Sequence, residues 1–180
     1  MIYLIGGSIR TGKSTLAHKI LQKKKISVVS TDIIVGLLKD FAKKDFSDSR
    51  PNFIQKAENF YPYLKEFIRI NLILGTKDFV YEGDIILPEQ VMLLAKEYQI
   101  KSCFLGFSQT NLDSLKQYIG THQWLDELSE NELNQLPMKI MDTSSFIKDE
   151  CKKYDLKYFD LSTDYDHEHE LAYQYLIEEH

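Results

Sequence analysis

Gly7-Ser8-Ile9-Arg10-Thr11-Gly12-Lys13-Ser14 is the stretch that decides the fold. It meets the pattern G-x-x-x-x-G-K-[ST], in which each part has a mechanical task. The glycines let backbone N–H groups turn inward around phosphate oxygens. A helix that opens at the end of the loop adds the partial positive charge of its N-terminus. Lys13 then reaches the β- and γ-phosphates of a nucleoside triphosphate, and the Ser14 hydroxyl ligates Mg²⁺. Thr15 follows as a contact to the α-phosphate. In a chain of 180 residues, average usage supplies this pattern by chance roughly 1% of the time. Here it also stands between an apolar run, Ile2 to Ile5, and a helical pattern over Thr11 to Lys24, as the mechanism requires. Gly7, Ser8, Ile9, Arg10, Thr11, Gly12, Lys13, Ser14 and Thr15 are therefore the expected ATP-binding residues, with Mg²⁺ as companion ion.

Outward from the loop, short apolar runs alternate with helical patterns. Ile26 to Val29, Phe79 to Tyr81, Ile100 to Phe107 and a short run centred on Tyr158-Phe159 read as further strands. Ser30-Thr31-Asp32 offers N-cap chemistry for a helix to Phe41. Phe53 to Leu74 is helical in spacing, and Pro62 is expected to divide it in two. Pro88 suits a first helical position, for a helix to Tyr98. Ser129 to Glu132 has the spacing of a capping box, and Pro137 is expected to interrupt the helix it opens, which resumes from Met141 to Tyr154. Asp164 to Ile177 is the last helix. This alternation predicts one α/β domain over residues 1–180, three layers deep, with a parallel sheet between helices. Ligands bind such sheets beyond the carboxyl ends of the strands.

The bulk properties narrow the function. The net charge of −5 argues against nucleic acid as a partner. No apolar run is long enough to span a membrane. Cys103 and Cys151 lack C-x-x-C spacing, which fits reduced thiols in the cytoplasm. The first strand begins at Ile2, so no signal peptide is expected. Lys23-Lys24-Lys25 complements a helix C-terminus. His167 and His169 are two apart on a helix and so diverge, which disfavours a metal pair. Trp124, Tyr173 and Tyr175 read as packing residues.

Two acidic positions follow strand ends. Asp32 comes three residues after the second run, where it can accept the proton of an acceptor hydroxyl, orient the acceptor, or simply cap a helix. Glu82 can hold a Mg²⁺-bound water, with Asp84 as the alternative, or be a solvated strand end.

At Gly7 to Ser14 the chain resembles the P-loop kinases of the nucleoside and nucleotide kinase group, which includes adenylate, shikimate and gluconate kinases and chloramphenicol phosphotransferases. Ser30-Thr31-Asp32 resembles the acidic turn after their second strand. Tyr81-Glu82-Gly83-Asp84-Ile85-Ile86-Leu87-Pro88 is similar to the third-strand end of kinases like 2-phosphoglycerate kinase. The resemblance implies a P-loop NTPase fold with five parallel strands in the order 2-3-1-4-5. It implies an acceptor-binding insertion over 39–75, a lid over 108–137, and a loop after the fifth strand beside the base, with Ser162 as base contact. Within the insertion, Arg50 and Arg69 are the only arginines, and a phosphorylated or carboxylated acceptor would use one of them as a two-pronged donor. Lid arginines normally steady the transferred phosphoryl group, but 108–137 has none; its basic groups are Lys116 and His122. Arg10 is the expected substitute, with Lys116 second. The implied activity is ATP-dependent phosphoryl transfer to a small hydroxylated or phosphorylated metabolite. Two alternatives stay open: an NTP-binding regulator or slow NTPase without a small acceptor, and a toxin-type kinase of a nucleotide sugar.

Overall fold

Strand β1 (Ile2–Gly7) lies at the centre of a five-stranded sheet, with a parallel partner on each side. The computed structural model describes residues 1–43, 53–75, 77–117 and 128–177. Arg50, His122 and Trp124 lie outside the described residues. Helix α1 (Lys13–Lys24) leads to β2 (Ser27–Ser30), α2 (Thr31–Ala42) and α3 (Phe53–Ile73). Then come β3 (Phe79–Glu82), α4 (Pro88–Ala95), β4 (Ile100–Gly106) and α5 (Leu112–Gln117). Helix α6 (Glu130–Tyr154), β5 (Lys157–Asp160) and α7 (Tyr165–Ile177) complete the order. The sheet order is β2-β3-β1-β4-β5 and every pairing is parallel, as the resemblance implied.

Alternation along the central strands sorts side chains onto two covered faces. Leu4, Tyr81 and Phe104 join Ala57, Phe60, Leu64 and Ile68 of α3 and Val91 and Leu94 of α4 in one core. Their neighbours Ile5, Val80, Cys103 and Leu105 point the other way, onto Leu16 and Ile20 of α1 and Ala172 and Leu176 of α7. Helix α6 serves both, with Leu136 and Ile140 on the second core and Ile147 and Cys151 on the first. Among the described residues, no helix is long and apolar enough to cross a membrane.

Two expectations about helices are corrected. Pro62 does not divide α3, and Pro137 does not interrupt α6. An interior proline costs about 3 kcal/mol through one lost hydrogen bond and a clash. Burying a large apolar side chain returns roughly 1.5–3 kcal/mol. In α3, Ala57, Phe60, Leu64 and Ile68 are all fully buried along one stripe, while Pro62 faces solvent. In α6, Leu136, Ile140, Ser144, Ile147 and Cys151 form a similar stripe. Packing outweighs the local defect in both. The sequence reading also left α5 unrecognised, and α4 stops at Ala95 instead of Tyr98.

Candidate active site

The loop leaves β1 through Gly7, whose φ of 137° lies outside the range side chains favour. A Cβ there would stand 2.1 Å from the Leu105 carbonyl oxygen, so only glycine lets β1 and β4 run this close. The loop re-enters regular structure at Gly12, with φ 72°, and α1 begins at Lys13. Between them the chain folds on itself. The Ser8 carbonyl accepts hydrogen bonds from Thr11 Oγ1 at 2.8 Å and from Lys13 Nζ at 2.7 Å. Ser8 N donates to the Leu105 carbonyl at 3.2 Å, and Ser8 Oγ meets Ser144 Oγ of α6 at 2.7 Å. Ser144 also accepts from Phe107 N at 3.0 Å. The loop is thus tied to β4 and α6, while Ser14 and Thr15 stay exposed in the first turn of α1.

Lys13 is buried, and burial lowers its pKa; Asp84, Glu82 and Asp32, in that order, work in the opposite direction. Three carboxylates from two strand ends therefore bear on the loop lysine. Glu82 is also buried, and it accepts a hydrogen bond from Ser14 Oγ at 3.1 Å. A hydroxyl paired with a carboxylate is a hard-oxygen donor set that suits Mg²⁺, an ion that takes few protein ligands beside phosphates and waters. Among the described residues there is no group of three or more His, Cys, Asp or Glu that could hold a metal ion.

The helix cap of α2 belongs to Ser30, whose Oγ accepts from Asp32 N at 3.3 Å. Asp32 is the second helical residue, exposed, and is not the cap that its position allowed. Thr31 is fully buried against Gly83, where a Cβ would fall 1.8 Å from Thr31 Oγ1. That contact fixes the start of α2 beside the end of β3 and brings Asp32 and Glu82 to one edge.

The arginines part company. Arg10 has φ 65°, and its guanidinium donates to the Leu115 carbonyl of α5 at 2.9 Å. Partial burial lowers its pKa, and Tyr165 opposes this. Arg10 lines a small cavity with Phe107, Thr110, Ser114 and Leu115, while Lys116 is exposed on the same short helix. Arg69 lies far down α3, paired to Glu66 through two hydrogen bonds of 2.7 and 2.6 Å on an exposed face. Its field reaches Tyr98, just before β4 begins. That is the edge of the sheet opposite the loop, so the structure does not bring Arg69 together with Lys13.

Ser162 ties two loops together. Its hydroxyl donates to Asp160 Oδ1 at 2.6 Å, accepts from Gln109 N at 2.9 Å and meets Ser108 Oγ at 3.1 Å. Burial works against the Asp160 carboxylate, but the hydrogen bonds from Ser162 and Ser108 outweigh it and bring its pKa down to about 2. A depressed acid stabilises the fold above its unfolded pKa and loses that contribution as pH falls through the folded value. Ser162→Ala should therefore raise the Asp160 pKa toward the ordinary carboxylate range, which a carbon-detected NMR titration reads directly. An unchanged Asp160 titration would mean that Ser108, Lys148 and the Ser162 backbone N–H hold the acid without the Ser162 hydroxyl.

Sequence reasoning missed the groups behind the loop. Ser144 touches Ser8, and Tyr165 and His169 of α7 press on Gly12. Nothing in the sequence marks Ser144 except its register with Ile140 and Ile147. His169 was legible as a core position, because it shares a stripe with Ala172, Tyr173 and Leu176.

No protein-family model matches the chain, and no curated protein sequence does. Solved structures match its fold over nearly its whole length. A gluconokinase from Sinorhizobium meliloti 1021 is 12% identical with a TM-score of 0.57, covering 97% of this chain and 90% of its own. A shikimate kinase from Bacteroides thetaiotaomicron is 12% identical with a TM-score of 0.55, covering 97% and 94%. A deoxyadenosine kinase from M. mycoides is 12% identical with a TM-score of 0.51, covering 95% and 96%. At such identities the likeness is one of fold, that of the P-loop kinases.

Proposed function

We propose that this chain, built on a fold shared with kinases of small metabolites and nucleosides, is an ATP-dependent phosphotransferase acting on a small acceptor with a free hydroxyl. The observation that carries the reading is the pairing of Ser14 with buried Glu82 beside buried Lys13, at the N-terminus of α1. Amides of the segment from Gly7 to Thr15 cradle the triphosphate, and the ammonium of Lys13 bears on its β- and γ-phosphates. Ser14 and Glu82 would hold Mg²⁺, directly or through water, and the ion would supply neutralisation of the phosphate charge. The acceptor oxygen forms a bond to the γ-phosphorus as the bond to the ADP oxygen breaks. Asp32 takes the acceptor proton. Segment 39–75 is the proposed acceptor side and 108–137 the proposed lid of a single domain. The role of Arg50 in acceptor binding remains part of this proposal; Arg69, at the far edge, contributes least to it. Ser162 acts on the base through the position of its loop. Cys103 and Cys151, both buried free thiols, suit the cytoplasm.

An ADP-release screen tests the reading, run over sugars, polyols, nucleosides, their monophosphates and nucleotide sugars, with transfer verified by phosphorus NMR. Acceptor-dependent ADP release from one class is expected. ATP binding without stimulation by any class would overturn the kinase reading and favour the nucleotide-binding regulator. That second reading draws support from the engagement of Arg10 with Leu115 and from the absence of arginine across 108–137.

Arg10 is proposed to carry charge to the transferred group once α5 releases it, with Lys116 as the second source. Arg10→Ala should lower turnover by about 10-fold or more with ATP affinity nearly unchanged, the pattern of an interaction made in the transition state. Unchanged turnover in both Arg10→Ala and Lys116→Ala would remove both residues from the chemistry.

A further inference from the structure

His169 is a buried imidazole, 6% exposed, one turn into α7 and directly behind the phosphate loop. Its Nε2 stands 3.3 Å from the Thr11 carbonyl oxygen. A carbonyl only accepts, so Nε2 carries the proton and donates. Tyr165 stacks on the imidazole at 4.9 Å and 26°, and Phe107 lies nearly parallel to Tyr165 at 6.5 Å and 16°. The stack leaves no slack at the loop. A Cβ on Gly12 would fall 2.1 Å from Tyr165 Oη and 2.6 Å from His169 Nε2.

The Thr11 carbonyl and the Gly12 N–H belong to one peptide plane, and in a planar trans unit they point in opposite directions. The chain has no cis peptide bond among the described residues. Pinning the carbonyl to α7 therefore turns the Gly12 N–H away from α7. The Gly12 carbonyl is held by Leu16 N at 2.9 Å, and Thr11 Oγ1 is committed to the Ser8 carbonyl at 2.8 Å. The side-chain anchor on the Thr11 carbonyl therefore comes from α7.

We propose that His169 is a positioning residue for the nucleotide: by donating to the Thr11 carbonyl it orients the Thr11–Gly12 peptide so that the Gly12 N–H meets a phosphate oxygen. Tyr165 and Phe107 hold the imidazole in place. Desolvation, opposed by the hydrogen bond to Thr11, lowers the His169 pKa and so favours the neutral ring. The inference rests on the nucleotide-binding reading of the loop.

The test compares Mg·ADP binding by calorimetry in the wild type, His169→Leu and His169→Gln, with melting temperatures alongside. Leucine keeps bulk without a donor, whereas glutamine places an amide N–H at a similar reach. The leucine variant should bind about tenfold more weakly and the glutamine variant within about threefold of wild type, the scale of one hydrogen bond lost or kept. Melting temperatures should fall to a similar extent in both. Wild-type affinity in the leucine variant, or equal weakening in both variants, would overturn the proposal. If the leucine variant does not fold, nitrogen NMR of the wild-type imidazole decides: an Nε2–H tautomer whose signal moves when Mg·ADP is added supports the proposal, and an Nδ1–H tautomer or a static signal overturns it. A wild type that binds no nucleotide would instead overturn the reading of the loop, and this inference with it.

Discussion

Lys13→Ala should remove phosphoryl transfer and leave a folded, slightly more robust protein. The two effects have one origin. Lys13 is buried and its ammonium is disfavoured there, as its lowered pKa shows, even with Asp84, Glu82 and Asp32 in its field. Such a group is retained at a cost to the fold, and deleting it relieves the desolvation. On the proposed reading, what it supplies in return is charge where the γ-phosphoryl group moves. Loss of one preorganised electrostatic partner lowers turnover by about 10²–10³-fold. ATP affinity should fall by about tenfold or more, since the ground-state triphosphate loses the same contact. Calorimetry with ATP, a turnover assay and a thermal melt measure the three quantities. Unchanged ATP affinity would mean that the loop does not bind phosphate.

Asp32→Asn should behave differently: ATP affinity within a few-fold of wild type, and turnover down by about 10²-fold, the scale of a lost general base. The cap of α2 comes from Ser30, so this substitution removes no cap, and asparagine is nearly isosteric. Stability should hold, which makes the variant a clean separation of binding from chemistry. Normal turnover in Asp32→Asn would assign the proton to Asp84 or to solvent.

The strands and the loop were legible because their signals are local. Ile2 to Ile5 is apolar at every position but Tyr3, and the glycine-lysine-serine pattern follows within ten residues. The sheet order came from resemblance to a known group of kinases, and the pairing of Ile5 with both Glu82 and Cys103 confirms it. The meeting of Asp32 and Glu82 at one edge followed from that order. What escaped notice depends on contacts between distant parts of the chain. Pro62 breaks a helix in isolation, and only the core against Phe60 and Leu64 overrides it. Ser162 looks like any exposed loop serine until Asp160 and Gln109 claim its hydroxyl. Arg69 lies within segment 39–75, but a helix as long as α3 carries its far end to the opposite edge of the sheet. His169 reaches Thr11 across 158 residues of sequence, a distance at which no spacing rule operates.

The central position of β1 has a consequence for biosynthesis. The strand that carries the phosphate loop precedes both of its partners, Phe79–Glu82 and Ile100–Gly106, in the sequence. Parallel strands so far apart in sequence pair slowly, because long loops must close before any contact rewards them. Until β3 has been made, β1 is an unpaired apolar edge, a template for association with other chains. A nascent chain halted before Ile100 lacks the second partner of β1, so the strand that carries the loop stays half-paired until β4 has been made.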